Sequence, residues 1–294
     1  MKEINDVLKE KGIRALSYKK IGNVIIANTN LGKVAIKKNS KKEYIYNYLN
    51  TRNFNYYPKT IPDNEYQIME YIEDIEISND QKMLDLINLV SLLHNKTTYF
   101  KNVDLDEYKK IYEDLKGNIN YLFNYYDDLM TIIESKIYPS PAEFLLSTNI
   151  SIVFSAIDYC FNKLDSWYEK VKDKQRRRYV IIHNNLDLNH FIKNKNSYLL
   201  SWDYSKIDSP IYDLYLLYKK YAFEYDFESL VRIYEKNYPL LEEEKNLFYI
   251  LISLPDKIEL NSDMYECCKK IEKFIDYLYK TEKLISPNNS KDTK

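Results

Sequence analysis

The chain has 294 residues, of which 45% are hydrophobic and 30% charged, and its formal net charge is -1. That balance belongs to a globular protein long enough to bury one large core or two modest ones. A near-neutral chain supplies no basic field for nucleic acid or an anionic membrane, and no apolar run reaches the ~20 residues that cross a bilayer. The cysteines, Cys160, Cys267 and Cys268, lack chelating spacing. They read as reduced, buried or incidental thiols of a cytoplasmic protein. The first twenty residues are charged throughout and lack the apolar stretch of a signal peptide. The 31 Tyr read as structural, since the ring covers half-buried surface while the hydroxyl stays wet.

Residues 1 to about 75 read as mostly strand. Asn23 to Asn28 is rich in β-branched residues, the turn Thr29-Asn30-Leu31-Gly32 follows, and Lys33 to Lys38 makes a second strand. Ser40 followed by Glu43 predicts a capping box opening a helix that packs through Tyr44, Tyr46, Tyr48 and Leu49. Beyond the Pro-containing stretch Tyr57 to Asp63, Tyr66 to Ile72 predicts another strand.

From Asp80 the period becomes helical, with Met83, Leu84, Ile87, Val90, Leu93 and His94 as one core-facing stripe. Long helices are expected near 104–135 and 141–173, split by Tyr138 to Ala142. The basic run Lys170 to Arg178 reads as a solvated helix end, with an anion-binding patch as the alternative. A strand over Arg178 to Ile182, a polar loop from His183 to His190, and a strand pair around Phe191-Ile192 and Tyr198 to Trp202 come next. Four amphipathic helices fill 210–284, punctuated by Pro239 and Pro255, before a polar tail at 286–294. No internal repeat is visible.

Several residues stand out. Val34-Ala35-Ile36-Lys37 resembles the VAIK strand of kinases. His183-Asn184-Asn185-Leu186-Asp187-Leu188-Asn189-His190-Phe191-Ile192 resembles the H-G-D-x-x-x-x-N-I loop of aminoglycoside and choline kinases. Trp202-Asp203 resembles their metal-binding segment, and Ile207 to Leu214 their D-P-x-x-D-L helix start. With the Met69-Glu70-Tyr71-Ile72 hinge and Leu93-His94, the ordered set spans nearly the whole chain. The sequence is thus similar to the aminoglycoside phosphotransferase and choline kinase-like superfamily. The helical stretch between 100 and 175 looks most like its spore-coat-kinase branch.

The resemblance implies an α+β, bilobal protein-kinase-like fold. A small β-rich N-lobe would take residues 1–72, a large helical C-lobe residues 73–285, and a flexible tail 286–294. It also implies ATP and Mg²⁺ as cofactors. Lys37 would grip the phosphates, Glu43 would orient Lys37, Glu70 and Ile72 would line the nucleotide site, and Asp203 would bridge the metal. His183 would brace the loop.

Two positions depart from the pattern. Asn185 stands at the base position, where an amide accepts no proton, and His190 stands where the family has a metal-binding Asn. Mg²⁺ prefers oxygen ligands to imidazole. Asp187 is a possible substitute carboxylate two residues on. With four glycines in the chain, Ile21-Gly22-Asn23 must make any turn over the phosphates.

Structural readings stand beside these. Lys37 also reads as a strand-end surface lysine, Glu43 as a helix cap, His94 as a core histidine, and Asp213 as a helix-start cap or loop anchor. The functional reading is a pseudokinase or very weak kinase that binds nucleotide, with an unknown small-molecule or protein partner. The alternatives are an active phosphotransferase on a small hydroxylated substrate and a non-catalytic, coat-like assembly protein.

Overall fold

A computed structural model describes residues 2–61, 63–260 and 263–286. The first elements are α1 (Lys2–Glu10), β1 (Ala15–Ile21), β2 (Val24–Thr29), β3 (Gly32–Lys38), α2 (Glu43–Thr51), β4 (Thr60–Ile61), β5 (Tyr66–Glu70) and α3 (Asn79–Thr97). Then come β6 (Tyr99–Asn102), α4 (Leu105–Glu134), α5 (Pro141–Thr148), α6 (Ile150–Val171), β7 (Arg176–Ile182), β8 (Phe191–Lys193), β9 (Ser197–Leu199) and β10 (Lys206–Asp208). Helices α7 (Ile211–Tyr221), α8 (Phe227–Asn237), α9 (Glu242–Ser253) and α10 (Met264–Ile285) complete an α+β fold.

The chain forms two compact units, Met1–Thr98 with Val180–Asp208, and Tyr99–Tyr179 with Ser209–Lys294. These do not follow a cut at residue 72. The reason is visible in the hydrogen bonds: Ile75 N donates to the Lys193 carbonyl, Lys193 N to Asp74, and Leu199 N to the Tyr56 carbonyl. Helix α3 in turn packs against β8 and β9, so it and the polar loop belong to the first unit. Of the tail at 286–294, residues 287–294 lie outside the described residues.

The first unit is built on an antiparallel sheet in the order β1-β2-β3-β5-β4. Alternation along β3 sends Val34 and Ile36 to one face, where they meet Ala27, Ile68 and the α1 residues Ile4 and Leu8. Helix α1 is an addition to the mostly-strand reading of this stretch. Ile4, Val7 and Leu8 fall at helical spacing, and burying Ile4 and Leu8 contributes about 1.5–3 kcal/mol each. The other face of the sheet carries Ala35 and Lys37.

The capping box at Ser40 does not form. Helix α2 has Lys42 at its N-cap with no side-chain cap, after Lys41 turns the chain at φ 56°. Asn39 organises this entry instead: its side chain accepts from Lys41 N at 2.8 Å and donates to Glu43 and to the Asp63 carbonyl. Helix α3 starts at a Ser78 cap. Its buried stripe is Met83, Leu86, Ile87, Val90, Leu93 and His94, while Leu84 faces outward. His94 is thus a core residue.

In the second unit the stretch expected as one helix over 141–173 breaks at Asn149 into α5 and α6, bent by 49°. Ser140 and Glu143 make a reciprocal capping box ahead of Pro141. Strand β6 pairs with residues 176–179 of β7. The basic run is not wholly a solvated helix end. Arg177 bonds Glu107, and buried Arg178 forms an ion pair with buried Glu244 while donating to the Pro239 carbonyl at 3.0 Å. Tyr126 and Tyr277 are structural but not half-buried: they sit in the core, and their hydroxyls donate to the carbonyls of Asp256 and Ile252 instead of staying wet. Cys160 and Cys267 are buried and all three thiols are free, with burial pushing Cys160 up to about 12. No single helix among the described residues is long and apolar enough to cross a membrane.

Candidate functional site

The site lies within the first unit. Lys37 leaves β3 on the face opposite α1, and its ammonium donates to both carboxylate oxygens of Asp203, at 2.8 and 2.7 Å. The lysine side chain is 11% exposed and the aspartate 33%, so the pair is half shielded from water. Asp203 sits on the one-turn 3-10 helix Trp202–Tyr204, which follows Ser201 in the left-handed region at φ 60°. A non-glycine residue there stores roughly 1 kcal/mol of strain, so neighbouring contacts must hold it.

They are supplied by Trp202, which is buried, donates from its indole to the Leu199 carbonyl at 2.8 Å, and meets Phe54, Tyr57 and His183 edge-on. Ser205 closes the turn by donating to the Trp202 carbonyl, and Lys42, at the start of α2, donates to the Ser205 carbonyl at 2.8 Å.

The polar loop is organised from within. His183 is buried, and its Nε2 donates to the Leu200 carbonyl at 2.6 Å, a bracing role. Asn184 occupies φ 57°, a conformation that Asn tolerates better than most side chains, and its amide donates to the Tyr204 carbonyl at 3.2 Å. Asn185 is half-exposed, and its side-chain amide has no hydrogen bond among the described residues. Its carbonyl accepts from His190 Nδ1 at 2.8 Å, which fixes the orientation of the imidazole. Asp187 is buried and caps the turn Leu188–His190, accepting from Asn189 N at 2.7 Å. A carboxylate so committed is a structural cap of this loop.

Glu43 does not meet Lys37. Its carboxylate accepts from the Asn39 amide at 2.8 Å, which holds the carboxyl below its usual range. The ion pair expected between α2 and β3 is thus replaced by the pair between β3 and the Asp203 turn. At the end of β5, Glu70 is exposed and its N–H donates to the Lys59 carbonyl at 2.9 Å. The backbone of half-buried Ile72 makes no hydrogen bond among the described residues. The turn Ile21-Gly22-Asn23 is the tip of the β1–β2 hairpin, with Gly22 at φ 57°. Asp213 lies buried in the first turn of α7, whose N-cap is Pro210, so it is not the cap.

Two residues beside the pair went unnoticed as functional candidates. Gln67 faces Lys37 across the β3–β5 ladder, and its amide nitrogen donates to the Tyr46 hydroxyl at 2.8 Å. Burial pushes the Tyr46 phenol up to about 12, with the charge of Asp203 adding to the effect and the Gln67 hydrogen bond opposing it. A cavity of about 400 Å³ opens between α2 and the β4–β5 hairpin, with Tyr46, Asn47, Asn50 and Gln67 in its wall. The signal in the sequence is a lone Gln within a strand of apolar residues, one register step from the hinge.

Comparison with solved structures finds the same fold. An aminoglycoside phosphotransferase from Alicyclobacillus acidocaldarius superposes with a TM-score of 0.67 at 9% identity, covering 92% of this chain and 90% of that one. Spectinomycin phosphotransferase bound to AMP gives 0.56 at 12% identity, covering 95% and 98%. The same enzyme with ADP and spectinomycin gives 0.55 at 12% identity, covering 96% and 98%. No family model and no curated protein matches the chain.

Proposed function

We propose that this kinase-fold chain binds a nucleoside di- or triphosphate at the Lys37–Asp203 pair and transfers phosphate very slowly or not at all, as a pseudokinase or very weak small-molecule kinase. The observation that carries this reading is the pair itself, a cation and a carboxylate aimed at each other from two elements beside a loop with an amide at its base position. A compact ammonium suits a phosphate as a point charge. The related folds hold AMP or ADP in two of the structures above. On this reading the backbone of Ile72, with Glu70 beside it, offers groups to the base, and Lys37 takes the phosphates.

The donor set fits Mg²⁺ only in part. Asp203 fits a cation held by one carboxylate with phosphate and water completing the shell, and His190 does not fit, because its imidazole offers nitrogen and is tied to the Asn185 carbonyl. Among the described residues no three His, Cys, Asp or Glu side chains cluster as metal ligands. When bound, such a cation would neutralise phosphate charge. Asn185 can hold a hydroxyl by hydrogen bonding but removes no proton, and a general base is worth roughly 10²–10⁴-fold.

A second reading, a working phosphotransferase on a small hydroxylated substrate, is favoured by the unengaged amide of Asn185, since phosphoryl transfer depends mainly on positioning and charge. A thermal-shift panel of ATP, ADP and GTP, each with and without Mg²⁺ or Mn²⁺, tests the first reading. Stabilisation of about 2.7 kcal/mol is expected at a hundredfold excess over Kd. A flat response to every nucleotide sinks it. ATP consumption in the presence of hydroxylated acceptors, abolished by Asp203→Ala, would establish the second.

A further inference from the structure

Lys37 and Gln67 are directly opposed in the antiparallel β3–β5 ladder, so both side chains leave the sheet on the same face. Gln67 is 6% exposed, and its amide nitrogen is spent on Tyr46. Its side-chain oxygen, equally buried, accepts no hydrogen bond among the described residues. A buried amide oxygen without a donor is rare and calls for an explanation. The neighbouring cation supplies one. An ammonium has three N–H donors, and in this state Asp203 engages Lys37 through both its oxygens.

A phosphate arriving at Lys37 competes with Asp203 for the ammonium and repels the carboxylate. The lysine stem is long and unbranched, and a second fixed acceptor is needed if the ammonium is to stay aimed. An amide oxygen can fill that role, as a carboxylate can. A neutral amide oxygen aims the ammonium and leaves its charge intact.

We propose that Gln67 is a positioning residue for Lys37, whose ammonium donates to the Gln67 side-chain oxygen when a phosphate group draws it off Asp203. Tyr46 holds the amide in place from α2, so the helix contributes to the site through a phenol rather than through Glu43. This rests on the nucleotide reading above.

Two experiments separate the two claims. In a crystal structure of Asp203→Ala without ligand, the Lys37 ammonium is expected within about 2.7–3.2 Å of the Gln67 oxygen. A lysine turned to solvent there, with Gln67 unmoved, overturns the exchange whatever the protein binds. In ADP titrations of the full chain, Gln67→Met, which keeps length and loses the acceptor, should raise Kd tenfold or more, the scale of a hydrogen bond to a charged group. Gln67→Glu, which keeps an acceptor, should stay within about threefold of the parent. Equal losses in both variants would mark Gln67 as packing and overturn the proposal. An unsubstituted protein that binds no ADP overturns the nucleotide reading and with it the phosphate-driven trigger, while the Asp203→Ala structure still decides whether Lys37 can change partners.

Discussion

At the scale of single residues, charge and commitment decide what each group can do. Lys37 and Asp203 hold each other while both remain partly open to water, so their pair contributes little to stability, on the order of 1 kcal/mol or less. Lys37→Ala should therefore leave the melting temperature nearly unchanged and abolish nucleotide-induced stabilisation in the same thermal-shift assay. Asn185 and Asp187 separate by environment: the first presents an unengaged amide, whereas the second is buried as a cap. Installing a base by Asn185→Asp, with His190→Asn beside it, is expected to raise ATP turnover by roughly 10²–10⁴-fold, measured as phosphate released. No gain in the double variant would mean that the acceptor-binding part of the chemistry is also missing. The residue-type pattern was legible in the sequence here, because Lys37, His183, Asn185, His190 and Asp203 are marked by their neighbours. Which side chain meets which was not. Asn39 takes Glu43 through a turn that begins at a left-handed lysine, and no spacing rule anticipates that.

At the scale of elements, two ion pairs make contrasting predictions. Arg178 and Glu244 are both buried, and the guanidinium also lies over the Tyr238 ring. Removing one partner strands the other charge, so Arg178→Ala should destabilise by about 3–5 kcal/mol in urea unfolding. Arg178→Met with Glu244→Leu should recover most of that loss, since well-packed apolar residues often replace a buried pair without penalty. At the start of α5, the hydrogen bond from Lys136 and the Ser140 backbone N–H hold the Glu143 carboxyl below its usual range. A depressed folded-state pKa contributes stability above the unfolded value of ~4.3 and loses it as pH falls through the lower folded value. Glu143→Gln should accordingly lose stability at neutral pH, leave it nearly unchanged below the folded value, and so flatten the acid limb of the stability curve.

Elements with long or strongly patterned sequences were readable in advance: the β2–β3 hairpin, α3, α4 and the four closing helices. Helix α1 was not, since its apolar stripe is two turns long inside a run of charges. The break at Asn149 was not either, because the apolar spacing continues across it.

At the scale of the whole molecule, the two units are each assembled from separated stretches of chain. The sheet with Lys37 ends by residue 70, and the loop and turn that complete its site begin at 183. A chain ending at residue 179 keeps Lys37 and loses Asp203, so it should show no ADP-dependent stabilisation even where it retains helical circular dichroism. The separation between Lys37 and Asp203 is 166 residues. At ribosomal speeds of about 5–20 residues per second, roughly ten to thirty seconds pass between the synthesis of one and the other. Until residue 203 has been made, the Lys37 ammonium lacks the carboxylate it meets in the folded chain. Folding of this half of the protein is thereby timed by translation of the other half, and slowing codons between 99 and 179 would lengthen that interval without altering a single contact of the finished molecule.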